Sequence, residues 1–285
     1  MRKLIIGAAV IASLAVLGVP AAMATPKGAF AVFAQCPVKA AEVDACLYSP
    51  TTSGHITLDK QEVPIVNTQV LQGGLLENEP SYVKPMSAAL NGETLTKTAQ
   101  KVPGGLLGIK CEEITGSGFF EREARKLCEW LFANHLTNVY AVTEVAGPAS
   151  GIVLNSAFEQ LGIGTALTLP VKVKLENPLF GEECYIGSAA EPIDLNLTTG
   201  ATTGGPTGNP GTQTTKESGK ILEISGVSLV SNTFSAPGSS GCGIFGLLDG
   251  LINSKIGLPS ASGKNTAVLN GSVEIANNGA VEESE

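Results

Sequence analysis

The chain has 285 residues, a formal net charge of −8 and only 15% charged side chains, alongside 34 glycines and 16 prolines. An acidic surface of this kind repels nucleic acid and anionic lipid headgroups, so neither is an expected partner. Sparse charge with plentiful Gly, Ser, Thr and Asn fits a β-rich extracytoplasmic protein better than a helical cytosolic enzyme.

Residues 1–24 read as a secretory signal. Arg2 and Lys3 form a short basic end, an apolar run covers 4–19, and Pro20 leads into Ala22-Met23-Ala24, with small residues where a signal peptidase reads. The run falls short of the roughly 18–20 residues a permanent span needs, and no later stretch approaches that length, so integral membrane insertion is not expected. Cleavage after Ala24 would leave 261 of the 285 residues, enough for a real core, and losing Arg2 and Lys3 moves the formal charge from −8 to −10.

Cys36 and Cys46 are the first of six cysteines, followed by Cys111, Cys128, Cys184 and Cys242. An even count in an exported chain, with no C-x-x-C, predicts a disulfide framework rather than a metal or redox site. Among the connectivities open to six cysteines, sequential pairing (36–46, 111–128, 184–242) is favoured, because neighbouring cysteines fall in neighbouring predicted elements. Gln35 is too large to precede a lipidated cysteine, which argues against an anchor at Cys36.

Short strands are expected at 54–59, with Ile56 and Leu58 inward, and at 63–70. Gly73-Gly74 and Gly104-Gly105 read as turns between strands. Over 119–133 the residues Phe120, Ala124, Leu127 and Leu131 make one helical stripe opposite Glu121, Arg122, Arg125, Lys126 and Glu129. Trp130 in this helix is expected to pack in the core beside Cys128. A strand follows at 139–145.

The clearest strand is 167–175, where Leu167, Leu169, Val171, Val173 and Leu175 alternate with polar residues and Pro170. Pro170 predicts an edge strand or a strand entrance, because it cannot donate to a ladder. Residues 198–219 contain almost no apolar side chains and read as a flexible Gly/Thr-rich loop within one domain. A strand at 220–225 changes phase at Gly226, the sign of a bulge or turn. A helix is expected over 244–255 from Ile244, Leu247, Leu248, Leu251 and Ile252. Residues 265–275 read as a hairpin around Asn270-Gly271, a favoured tight-turn dipeptide.

Catalytic signals are thin. His55 and His135 are the only histidines, and Gly238-Ser239-Ser240-Gly241 does not have nucleophile-elbow spacing. No zinc helix, calcium loop or phosphate-binding loop occurs. The dense carboxylate pairs, Glu112-Glu113 and Glu182-Glu183, point to opposite faces if they lie on strands, so neither converges on one substrate.

The stretches Tyr48-Ser49-Pro50-Thr51-Thr52-Ser53-Gly54, Val102-Pro103-Gly104-Gly105-Leu106, Cys184-Tyr185-Ile186-Gly187-Ser188, Gly257-Leu258-Pro259-Ser260-Ala261 and Ala267-Val268-Leu269-Asn270-Gly271 resemble a family of uncharacterised secreted proteins from high-GC Gram-positive bacteria. The resemblance covers nearly the whole chain after the signal. It implies an extracellular or envelope location and one shared architecture; it implies no activity and no site residues.

The expected fold is therefore mainly β. It is an antiparallel β-sandwich or barrel-like domain over 25–281, with one or two short helices, pinned by disulfides and ending in a solvated acidic tail at 282–285. The expected function is a non-catalytic secreted or cell-envelope-associated protein, structural or ligand-binding, with a cell-wall or extracellular ligand as partner. No catalytic residue, cofactor or metal is expected. The alternative is an extracellular hydrolase acting on envelope glycans or esters, with Glu113 or His135 beside a second acid or a serine. No L-P-x-T-G sorting signal is present, so free secretion or non-covalent wall association is expected.

Overall fold

The structure is a computed structural model and describes residues 25–105, 118, 122–123, 125–126, 129–130, 133 and 137–285. Among these, a mainly β fold is built on one antiparallel system of 14 strands that does not close into a barrel. Two sheet halves are joined through a shared strand. The first half runs β11 (Thr212–Lys216), β12 (Ile221–Ser231), β14 (Thr266–Asn277), β1 (Val43–Leu58), β3 (Gln69–Leu76), with β2 (Gln61–Pro64) also on β1. The second half is centred on β8 (Leu167–Glu176), flanked by β7 (Val153–Asn155), β6 (Tyr140–Val145), β10 (Ile193–Leu197) and β9 (Tyr185–Ile186). β5 (Ala99–Lys101) extends β6, and β13 (Ser239–Ser240) extends β9.

β4 (Val83–Ser87) makes the join. Its Met86 and Ser87 pair with Leu75 and Gly74 of β3, whereas Val83, Lys84 and Pro85 pair with β7. Met86 is fully buried at this corner, and one core cluster draws Leu47, Leu71 and Leu75 from the first half together with Ile152, Val171 and Leu195 from the second. A smaller cluster covers the outer face of the first half. There Phe30 and Phe33 of the 3-10 turn Gly28–Phe33 pack with Val43, Ile221, Ala276 and Val281.

The strand alternation at 167–175 is borne out: β8 alternates buried and half-buried side chains along its whole length. The edge reading of Pro170 is not. β8 is internal, and Pro170 sits where its neighbour on one side changes from β7, paired through Thr168, to β6, paired from Val171. The missing N–H falls in that step and costs no ladder bond. The phase change at Gly226 is a β-bulge, with register shifting between Ser225 and Val227 against β14.

Three turn or loop expectations are corrected. β14 passes straight through Asn270-Gly271 as one strand, so there is no hairpin. Gly271 is needed because Pro50 O of β1 approaches to 1.9 Å of where a Cβ would stand. Gly73-Gly74 lies inside β3, where a Cβ on Gly73 would meet Ser87 O at 2.5 Å, as the crossing strand β4 arrives. Residues 198–219 are paired rather than looped out: Thr198 bridges Val230, Asn209 bridges Ser228, and β11 pairs with β12. Backbone hydrogen bonds to an existing strand order this segment without apolar side chains.

Two corrections concern helices. The segment 244–255 is helical only from Asp249 to Ile256, a helix here called α2, after a short 3-10 turn in which Phe245 adopts φ 54°. The Asp249 carboxylate accepts from the Cys242 N–H at 2.9 Å, so the first residue of the helix also braces the turn before it. Ile244, Leu247 and Leu251 of the expected apolar stripe are exposed, as is Phe245 beside them. Of the helix expected over 119–133, residues 122–123, 125–126, 129–130 and 133 are helical. Trp130 is 56% exposed rather than in the core, because it shares the face of Glu123 and Lys126, an ion pair at 2.9 Å.

Two helices were not foreseen. α1 (Ser156–Leu161) starts where the Asn155 side chain accepts from Phe158 N–H and stops at the left-handed Gly162. α3 (Asn278–Glu283) takes in Glu282 and Glu283, half of the segment expected to be a solvated acidic tail. Glu283 pairs with Lys220 at 3.2 Å, and Glu285 with Lys39 at 3.6 Å, drawing the segment back onto the fold.

Candidate functional site

The functional candidate is a cavity between the two halves. The β1–β2 hairpin forms one wall: Ile56 and Leu58 are two apart on β1, Val63 lies on β2 and Ile65 just beyond it, so the same pleat face points inward. The opposite wall uses the same periodicity. Val139, Ala141 and Thr143 face in from β6 and its approach, Val173 and Leu175 from β8, and Ile186 from β9, with Phe180 alongside. Val102 and Gly105 come from the turn after β5, and Ile256 and Lys255 from the end of α2. The small side chains at 102, 139, 141, 143 and 173 leave space that Leu or Phe would fill.

The cavity is partly open to solvent and has a volume of about 220 Å³. One water needs only roughly 10–15 Å³ on the same measure, and close-packed interiors tolerate few voids larger than that. The cavity therefore has room for a molecule well beyond a single water.

Polar groups in the lining are few and differ in role. Gln100 is buried and bonded at both ends of its amide: its Oε1 accepts from the N–H groups of Val66 at 2.9 Å and Asn67 at 3.0 Å, and its Nε2 donates to Asn67 O at 2.6 Å. It holds the chain between β2 and β3 against β5. Gln61 lies at the rim and donates to Glu62 O at 3.0 Å. Lys255 is exposed at the same end, where Ile256 O accepts from the Lys60 N–H at 3.0 Å and fixes α2 to the hairpin tip. Gln69, at the start of β3, is 5% exposed, and its Nε2 has no partner.

The predicted disulfides Cys36–Cys46 and Cys184–Cys242 are formed, with Cα atoms 5.6 and 4.2 Å apart. The first ties the Gly28–Phe33 cap to β1, and the second ties the start of β9 to the turn before α2. Cys111, Cys128, Glu112, Glu113 and His135 lie outside the described residues. His55 sits on β1 between Val268 and Pro64 and is not part of the cavity lining. Glu182 and Glu183 are exposed, with Glu182 paired to Lys174 at 3.1 Å. Among the described residues no three His, Cys, Asp or Glu side chains gather as metal ligands, and no helix is long and apolar enough to cross a membrane.

No known protein family, curated protein or solved structure matches this chain. The site must be read from its own chemistry.

A second buried group stands apart from the cavity. Glu159 of α1 is 2% exposed, both carboxylate oxygens lack partners, and burial pushes its pKa from 4.5 up to about 7. The Thr199 hydroxyl donates to the Glu159 backbone carbonyl at 2.5 Å, so the start of the paired 198–219 segment closes over this helix. Sequence reasoning missed both features. The alternation at 139–145 and 54–65 was visible, but nothing in one strand says which opposing strand it faces or how well the gap is filled.

Proposed function

We propose that this is a secreted, non-catalytic binding protein that holds a small apolar molecule between its two sheet halves. The cavity carries the reading: a largely apolar space of about 220 Å³ whose polar groups, among the described residues, are Gln61, Gln69, Gln100, Thr143 and Lys255. Amides, one hydroxyl and a rim lysine orient a ligand but do not make an acid–base pair or an activated nucleophile. The signal-like residues 1–24 and the two disulfides support an extracellular place of work, as does the likeness to secreted proteins of high-GC Gram-positive bacteria.

Titration of the mature chain with 1-aminoanthracene, a neutral fluorophore, tests the reading. One saturable site per chain is expected, and Ala141→Phe, which fills the cavity from β6, should weaken binding at least about tenfold. Unsaturable binding, or a site unaffected by Ala141→Phe in a folded variant, would remove the cavity from the account.

A further inference from the structure

We propose that the ligand of this cavity is a fatty-acid anion, with its tail between the two sheet halves and its carboxylate at the rim beside Lys255 and Lys60. This rests on the cavity being the binding site, as read above. The lining is divided by charge. Its body is hydrocarbon, with Ile56 and Val63 on one wall and Val139 and Val173 on the other, and among the described residues it contains no Asp or Glu. Its cation is Lys255, exposed near the end of α2. Lys60, exposed at the tip of the β1–β2 hairpin, is brought next to that end by the bond from its N–H to Ile256 O at 3.0 Å. A tail among aliphatic side chains leaves water favourably, and a head at a partly open rim keeps part of its hydration.

The pairing of the other lysines makes these two stand out. Most lysines among the described residues sit beside a carboxylate. Lys60 and Lys255 form no such ion pair there, although acidic side chains outnumber basic ones by 26 to 18 over the chain. The carboxylates closest in sequence to Lys60 are turned elsewhere. Asp59 lies against Gly257, and Glu62 is exposed on the pleat face of β2 opposite Gln61 and Val63. Two unmatched cations at the mouth of an apolar space suit one anion. A neutral head gains nothing from them, and a cationic head is repelled. The net negative charge of the chain opposes an anion at long range. Salt screens exposed charges beyond about 8 Å, so the lysines of the rim itself decide.

Competition against bound 1-aminoanthracene at pH 8 tests the assignment on the chain from residue 25 onward. The competitors are octanoate, octylammonium and 1-octanol, which share a tail and differ in the charge of the head. Octanoate should displace the fluorophore at roughly tenfold lower concentration than octylammonium. In the double variant Lys60→Gln, Lys255→Gln the concentration of octanoate needed, relative to 1-octanol, should rise about tenfold. The double variant Lys60→Arg, Lys255→Arg keeps both charges and should keep the wild-type ratio. Raising NaCl from about 0.02 to about 0.5 M should weaken octanoate more than 1-octanol. Octylammonium displacing as well as octanoate, or an octanoate ratio unmoved by the glutamine variant, overturns this assignment and leaves the cavity reading standing. Failure of all three to displace a bound fluorophore overturns the cavity reading itself.

Discussion

Glu159→Gln should make this protein more stable at alkaline pH and nearly unchanged at acid pH. The carboxyl is 2% exposed without a partner for either oxygen, and burial lifts its pKa from 4.5 to about 7 in the fold. A raised carboxyl pKa means the folded state holds its proton more tightly than the unfolded chain. Below pH 4.5 both states are protonated and nothing is lost. Between pH 4.5 and about 7 the unfolded chain ionises first and stability falls; above 7 both are ionised and the loss is constant. A rise from 4.5 to about 7 corresponds to about 3 kcal/mol. Glutamine keeps the shape and removes the charge. Thermal unfolding followed by circular dichroism should therefore give nearly equal Tm values at pH 4, and at pH 8 a Tm for Glu159→Gln higher by roughly 6–12 °C. The difference between the two proteins isolates this group from other titrations. Equal Tm values at pH 8, or a variant that loses stability at both pH values, would refute the idea that an unpaired buried charge sits on α1.

Gly271→Ala should lower stability by about 3 kcal/mol or more in chemical denaturation, because the new Cβ would fall 1.9 Å from Pro50 O; a loss under about 0.5 kcal/mol would mean that β1 and β14 do not approach as described. Phe245→Asn should leave stability unchanged or raise it by up to about 1 kcal/mol, since the ring is 99% exposed and the backbone has φ 54°. A clear loss of Tm would show the ring to be packed. Hydrogen exchange should find the amides of Thr198 and Asn209, which donate to Val230 O and Ser228 O at 2.8 and 2.9 Å, protected well beyond those of Thr203 and Gly204; uniform fast exchange across 198–211 would restore the loop reading.

The long strands β1, β6, β8, β12 and β14 were legible at least in part in the sequence; the short strands, the break between β2 and β3 inside the strand expected at 63–70, and the topology were not. The alternation in 167–175 identified β8 because each residue there answers to one buried face. The phase slip at Gly226 identified the bulge because register is set by the same alternation. Reading failed where a residue answers to a neighbour far away in the chain. Asn270-Gly271 looks like a turn until β1 is known to press on Gly271. Pro170 looks like an edge until β7 and β6 are seen to leave a step beside it. Residues 198–219 have no apolar pattern to read, since their order comes from β12. The apolar stripe at 244–252 overrode the punctuation of Gly243 and Gly246, which keeps the first turn from continuing into α2. The disulfides at 36–46 and 184–242 were legible from order alone. The cavity was not, because its existence depends on small residues at 102, 139, 141, 143 and 173 meeting the β1–β2 hairpin across the fold.

A crystal structure of the chain from residue 25 onward, grown with 1-aminoanthracene, tests the central claim most directly. The account predicts one ligand between the β1–β2 hairpin at Ile56 and Val63 and the facing wall at Ala141 and Val173. Walls closed against each other, with Val63 in contact with Val173 and no space between them, would contradict it.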